Sequence, residues 1–247
     1  LVDIAAAINS KKKIQVLKLT EIPNQTYLDA VLEDSSASVS LKRRLSGLSQ
    51  SKGVVVDFES VVTHELSNTI NELSSQSSCE WLVMGWDGRS HSGILVSNPR
   101  GWLLANINSN LALFKDKGVR HVGKVLLALR PGRKDRNFIE IAQRVCTFYD
   151  ATLTLLHVVP EKTTDKNIFA MEAKSSSKLE QSNVKAEVTI VKSDDPVGTI
   201  SGMSAGYDLL MLGTPEKDNW INVLFGGGKD KFTEKSACSV LRLTVKD

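Results

Sequence analysis

The chain has 247 residues, 41% hydrophobic and 24% charged, enough for one large or two ordinary domains with a sizeable core. Its 31 basic and 28 acidic residues leave a net charge of only +3, and 6% of residues are aromatic, a balance that argues against a nucleic-acid groove. No apolar run approaches the roughly 20 residues that cross a bilayer. Cys79, Cys146 and Cys238, an odd number without CxxC spacing, read as buried free thiols in a reducing compartment.

The opening "LVDIAAAINSKKKIQVLKL" lacks the pattern of a secretion signal. Val2, Ile4, Ala5 and Ile8 fall on one side at helical spacing, so the chain reads as entered inside a helix and as an excerpt of something longer. A strand "IQVLKLTEIP" follows, then a helix interrupted by a loop within "LEDSSASVSLKRRLSGLSQSKG". The strand "EWLVMG" runs into the turn "WDGRSHSG"; "PRGWLLANI" reads as a helix and "LALF" as apolar strand sequence. After the charged linker "KDKGVRH" come strand "GKVLLALR", helix "RNFIEIAQRVCTFY", strand "ATLTLLHVV" and helix "KNIFAMEAKSSSKLEQ". Strand "AEVTIV", helix "PVGTISGMSA", strand "DLLMLG", a loop with a short helix and strand "SVLRLTV" complete the alternation.

The two halves repeat. "IQVLKLTEIP" matches "ATLTLLHVVP", and "EWLVMG" matches "DLLMLG", in the same order. Gly85 and Gly213 are 213 − 85 = 128 residues apart, and Pro23 and Pro160 are 160 − 23 = 137 apart. The longer offset aligns Ile141 and Ala142 with Ile4 and Ala5. The fold is therefore expected to be α/β, two similar doubly wound and mostly parallel sheets, the first lacking its first strand. The subdomains are expected to span 1–117 and 118–247.

Ligands of wound sheets lie beyond the C-terminal strand ends, where helix N-termini offer free N–H groups. Gly85 and Gly213 stand there. At these positions the chain resembles the universal stress protein family, whose nucleotide-binding members carry a G-2x-G-9x-G-[ST] loop after the "MG" strand and an aspartate after the first strand. In that family the glycines close around phosphates and the aspartate holds the nucleoside. Gly85 and Gly88 satisfy the opening of the motif, but Asn98 and Pro99 stand where its last glycine belongs, and proline has no N–H to donate. In the second half Glu216, repulsive to phosphate, replaces a glycine, while Gly226 and Gly227 arrive at its end. Arg130 and Pro131 stand near the aspartate's place. Gly85, Gly88, Gly213, Gly226 and Gly227 thus read as degenerate remnants of a nucleotide loop, with no cofactor, metal or catalytic residue expected.

"GGGKDKF" resembles the end of a P-loop, but Val223 stands where its first glycine is needed and Asp230 where the hydroxyl is, so a helix entry is expected. His64, His91, His121 and His157 are scattered without ligand spacing, and His157 reads as a core or strand-end histidine. Ser90 beside His91 lacks a third member. Trp81 and Trp102 read as core, whereas Trp86 and Trp220 lie in strand-end loops that suit either burial or docking.

"LVDIAAAINSKKKIQVLKLTEIP", "CEWLVMGWDGRS" and "NPRGWLLANINSNLALFKDKG" also resemble the cytosolic C-terminal region of prokaryotic cation-chloride cotransporters, and related tails occur on amino-acid permeases. That resemblance implies a non-catalytic regulatory and dimerising domain on the cytoplasmic face of the cell membrane. Its partners would be a second copy and the transmembrane part of the same transporter, with no nucleic acid and no direct membrane insertion. The rival expectation is a free-standing tandem universal stress protein that binds ATP.

Overall fold

The computed structural model describes residues 1–9, 13–25, 36–76, 79–85, 109–130, 134–180, 184–213 and 230–246. The first half runs α1 (Val2–Ile8), β1 (Lys13–Glu21), α2 (Ser36–Lys52), β2 (Val55–Thr63), α3 (Leu66–Gln76), β3 (Trp81–Gly85) and β4 (Asn110–Lys115). The second runs β5 (Lys124–Ala128), α4 (Asp135–Tyr149), β6 (Thr152–Val159), α5 (Asp165–Leu179), β7 (Ala186–Lys192), α6 (Pro196–Met203), β8 (Leu209–Gly213), α7 (Lys231–Lys235) and β9 (Ser239–Thr244). The alternation is that of an α/β fold.

Local chemistry sets the boundaries. Thr164 caps α5 by accepting the N–H of Asn167, and Asp195 caps α6 by accepting that of Gly198, with Pro196 at the start of the helix. α4 stops where Asp150 turns left-handed at φ 56°, its N–H donated to the Cys146 carbonyl. The β5, β6 and β8 runs are too apolar for a half-exposed sheet. Val125, Leu126, Leu127, Leu155, Leu156, Leu209, Leu210 and Met211 are each 0% exposed, because helices cover both faces.

A seven-stranded sheet runs in the order β3-β4-β9-β8-β5-β6-β7, and β1 and β2 form a separate parallel pair. All pairings are parallel except β4 with β9. The strands are therefore partitioned differently from one sheet per half. In the second half β5 is the first strand and joins β6 to β8. Its counterpart would stand between β1 and β3. Among the described residues nothing pairs there, so β3 and β4 stay with the larger sheet through β9 while β1 and β2 remain apart.

The expected interruption of α2 is not found between 36 and 52. The helix runs through Gly47, leaving any break to residues 32–35, which lie outside the described residues. β2 and α3 are not among the expected elements, although Leu66, Ile70 and Leu73 recur at helical spacing in α3. Charges at Asp57 and Glu59 dilute the apolar run of β2.

Candidate functional site

The strand order reverses direction between β5 and β8, which is where an open α/β sheet forms its ligand crevice. Gly213 ends β8 at this point. The ring of Phe138, from the first turn of α4, lies 2.9 Å from where a Cβ on Gly213 would be. Phe138 is 7% exposed and packs into the main core. The glycine that reads in sequence as room for a phosphate is here room for an aromatic ring. The first repeat does the same less tightly: Leu1 Cδ1 is 3.4 Å from the corresponding point on Gly85. Under the offset of 137, Leu1 is the counterpart of Phe138.

The start of α7 is held by a buried ion pair. Arg242, on β9, donates from Nε and Nη2 to Asp230 Oδ2 at 3.1 and 2.6 Å, and from Nη1 to the Gly213 carbonyl at 3.3 Å. Arg242 is 5% exposed and Asp230 2%, so the pair is desolvated and strongly directional. The same carboxylate accepts the N–H groups of Phe232 and Thr233 and the Thr233 hydroxyl. The start of α7 thus takes its negative charge from the protein itself, where nucleotide-binding folds use a phosphate. Arg242 also lies 5.8 Å from the Phe232 ring centroid. One guanidinium thus joins the end of β8 to the residue that starts α7.

His157, at the end of β6, is 2% exposed. Its Nδ1 lies 3.0 Å from the Leu129 carbonyl and its Nε2 2.9 Å from Ser175 Oγ. A carbonyl only accepts, so Nδ1 carries the proton and Nε2 accepts from the serine. Burial pushes the imidazole pKa down. Both ring nitrogens are engaged, and the sequence expectation of a core or strand-end histidine describes the position. Lys178 and Asp135 form a neighbouring ion pair at 3.3 Å.

The remaining candidates do not converge. His64 Nδ1 lies 3.2 Å from the Ile22 carbonyl, and His121 is exposed on the linker. Arg130 is exposed just after β5. Trp81 is half-buried against the core. Burial raises all three thiols, Cys146 to about 12, so none is a ready thiolate. Among the described residues no group of three or more His, Cys, Asp or Glu is placed to hold a metal ion. Gly88, Gly226 and Gly227 lie outside the described residues, as do Ser90, His91, Asn98, Pro99, Pro131, Glu216, Lys229, Trp86, Trp102 and Trp220.

Sequence reasoning missed Arg242 and the role of Asp230. The signal was present: Arg242 is the lone charge inside the apolar run "SVLRLTV", at a position where the first repeat has Phe114.

No family model matches the chain, and no curated protein matches it in sequence. Solved structures do match in fold. A universal stress protein from Archaeoglobus fulgidus superposes with a TM-score of 0.67 at 16% identity, covering 99% of this chain and 91% of its own. A structure from Pseudomonas aeruginosa assigned as a universal stress protein gives 0.59 at 15% identity, with 96% and 95% covered. The cytoplasmic domain of a prokaryotic cation chloride cotransporter gives 0.60 at 11% identity, with 98% and 88% covered. The chain has the universal-stress-protein-like α/β fold over nearly its whole length, in the tandem form that its internal repeat describes.

Proposed function

We propose that this chain is a non-catalytic regulatory and dimerising domain of a membrane transporter of the cation-chloride cotransporter or amino-acid permease type, held at the cytoplasmic face of the membrane. The observation that carries the non-catalytic reading is the closely packed strand end at Gly213. Phe138 occupies the space over Gly213, and Asp230 supplies the anion at the start of α7. The Gly213 strand end therefore has no open space over its Cα, and N–H groups at the start of α7 that could receive an anion already have a carboxylate. The transporter reading is supported by the motifs quoted above and by the likeness in fold to the cotransporter domain. No helix among the described residues is long and apolar enough to cross a membrane.

The test is calorimetric titration of the chain with ATP and magnesium. No saturable heat is expected, and micromolar binding would overturn the reading in favour of the tandem stress protein. The parentage is tested separately by the reading frame ahead of Leu1. A series of apolar segments, each about 20 residues long, is expected there; a frame lacking them removes the transporter.

A further inference from the structure

We infer that the outer edge of β7 is the surface on which two copies of this chain meet, in an antiparallel pairing centred on Ala186. The inference gives a place to the dimerising part of the proposed function and rests on that reading. β7 ends the seven-stranded sheet, and among the described residues it pairs only with β6. Leu153 donates its N–H to the Lys185 carbonyl, so Lys185, Glu187 and Thr189 turn their main-chain groups inward to β6. Those of Ala186, Val188 and Ile190 consequently point off the sheet, a row of donors and acceptors placed for another strand. Val184, Ala186 and Val188 are half-buried against the main core, and with Ser176 and Leu179 of α5 they border a cavity of about 380 Å³ along this edge.

The charges on this edge select the occupant. A two-fold axis perpendicular to the sheet keeps every side chain on its own face, so only residues an even number of positions apart can stand opposite one another. Centring the axis on Ala186 sets Lys185 opposite Glu187 of the second copy, and Glu187 opposite its Lys185. Both residues are exposed, and Glu187 is held by the Thr154 hydroxyl, which donates to its Oε1 at 3.0 Å. On the other face Val184 and Val188 stand opposite each other beside Ala186, apolar against apolar, next to the cavity. Opposite charges and apolar pairs across strands are favourable, and like charges directly opposite are not. The next two-fold registers in either direction place Glu187 against Glu187 or Lys185 against Lys185. The edge is thus matched to its own copy in one register and set against it in both neighbours. In that register the two seven-stranded sheets become one.

Two measurements on the 247-residue chain test this. Ala186 and its own copy form a hydrogen-bonded pair with Cα atoms about 5.5 Å apart, within the span of a disulfide. Ala186→Cys is expected to give a covalent dimer under mild oxidation, whereas Ile190→Cys, roughly 27 Å from its own copy, should not. Cys146 and Cys238 are buried and Cys79 half-buried, and the parent chain supplies their background. In sedimentation equilibrium, Lys185→Glu and Glu187→Lys should each weaken the dimer by about tenfold or more, since each turns two attractive pairs into repulsive ones. The double variant Lys185→Glu with Glu187→Lys should recover the parent affinity. A dimer indifferent to these exchanges, or trapped at position 190 and not at 186, overturns this interface and leaves the dimerising reading standing. A chain that stays monomeric and is not trapped at 186 overturns both. Should a charge variant fail to fold, the two cysteine variants decide by themselves.

Discussion

Arg242 and Asp230 show how one buried charge pair can organise a strand end. The guanidinium holds the Gly213 carbonyl and the carboxylate that starts α7, so removing it leaves Asp230 charged, 2% exposed and without its counter-ion. Such breakage costs about 3–5 kcal/mol. Urea unfolding of Arg242→Met should register a loss of that size, partly recovered in the double variant Arg242→Met with Asp230→Asn. A single variant within about 1 kcal/mol of the parent would show that the pair does not hold this site. His157 gives a prediction of different sign logic. Burial lowers its pKa in the folded protein despite the opposing effects of the Leu129 carbonyl and Asp135, and Lys178 adds to the lowering. The unfolded chain takes up its proton as pH falls through about 6.5, the folded chain only at lower pH, so the unfolded state is favoured in that window. The titration of this residue should therefore leave stability unchanged above that pH. Below it, stability should fall at up to about 1.4 kcal/mol per pH unit until the folded pKa is reached. Denaturation of the parent and of His157→Gln from pH 7.5 to 5 should diverge in slope only in the acidic part.

α2 is the element in which local and tertiary preferences are easiest to separate. Gly47 lies in its interior, exposed, with nothing within 4 Å of where an added methyl group would stand and no positive φ. Its only effect on the helix is the entropy it costs, so Gly47→Ala should stabilise the chain by about 1 kcal/mol in chemical denaturation. No gain would mean that the helix is already frayed in the folded state. Serines and charges within "LEDSSASVSLKRRLSGLSQSKG" suggest interruption, yet from Ser36 to Lys52 the helix is continuous, with the buried Leu45 and half-buried Leu41 and Leu48 along one face and the helix packed on β2. The elements of the second half were legible because their apolar runs are long and their punctuation is local. Thr164, Asp195 and Pro196 mark helix starts by chemistry that needs no tertiary context. The site was legible only in part. Gly213 announced a close approach, but whether phosphate or an aromatic ring approaches depends on where α4 lies, and nothing in the residues next to Gly213 encodes that.

The division of strands between two sheets was not legible either, since it depends on pairing across the halves. β4 meets β9 antiparallel, with Leu113 opposite Arg242 and Phe114 opposite Leu241. Under the 128-residue offset Leu113 corresponds to Leu241 and Phe114 to Arg242, so the two pairs exchange with each other. A pseudo-two-fold axis therefore passes between them, and α1 packing against its counterpart α4 obeys the same relation. The chain is built as a two-fold dimer whose subunits happen to be joined. This has a consequence for either half on its own. Residues 118–247 would expose the edge of β9 that β4 now covers, including Val240, Leu241 and Leu243, each 0% exposed in the whole chain. An uncovered apolar edge pairs with another copy, and the pseudo-axis already supplies a closed antiparallel register for it. Sedimentation equilibrium on residues 118–247 should accordingly give a dimer at micromolar concentration. Amide exchange in β9 should be as slow as in the intact chain. A folded monomer with fast exchange along β9 would mean that the β4–β9 pairing follows from the covalent linkage alone and not from self-complementary edges.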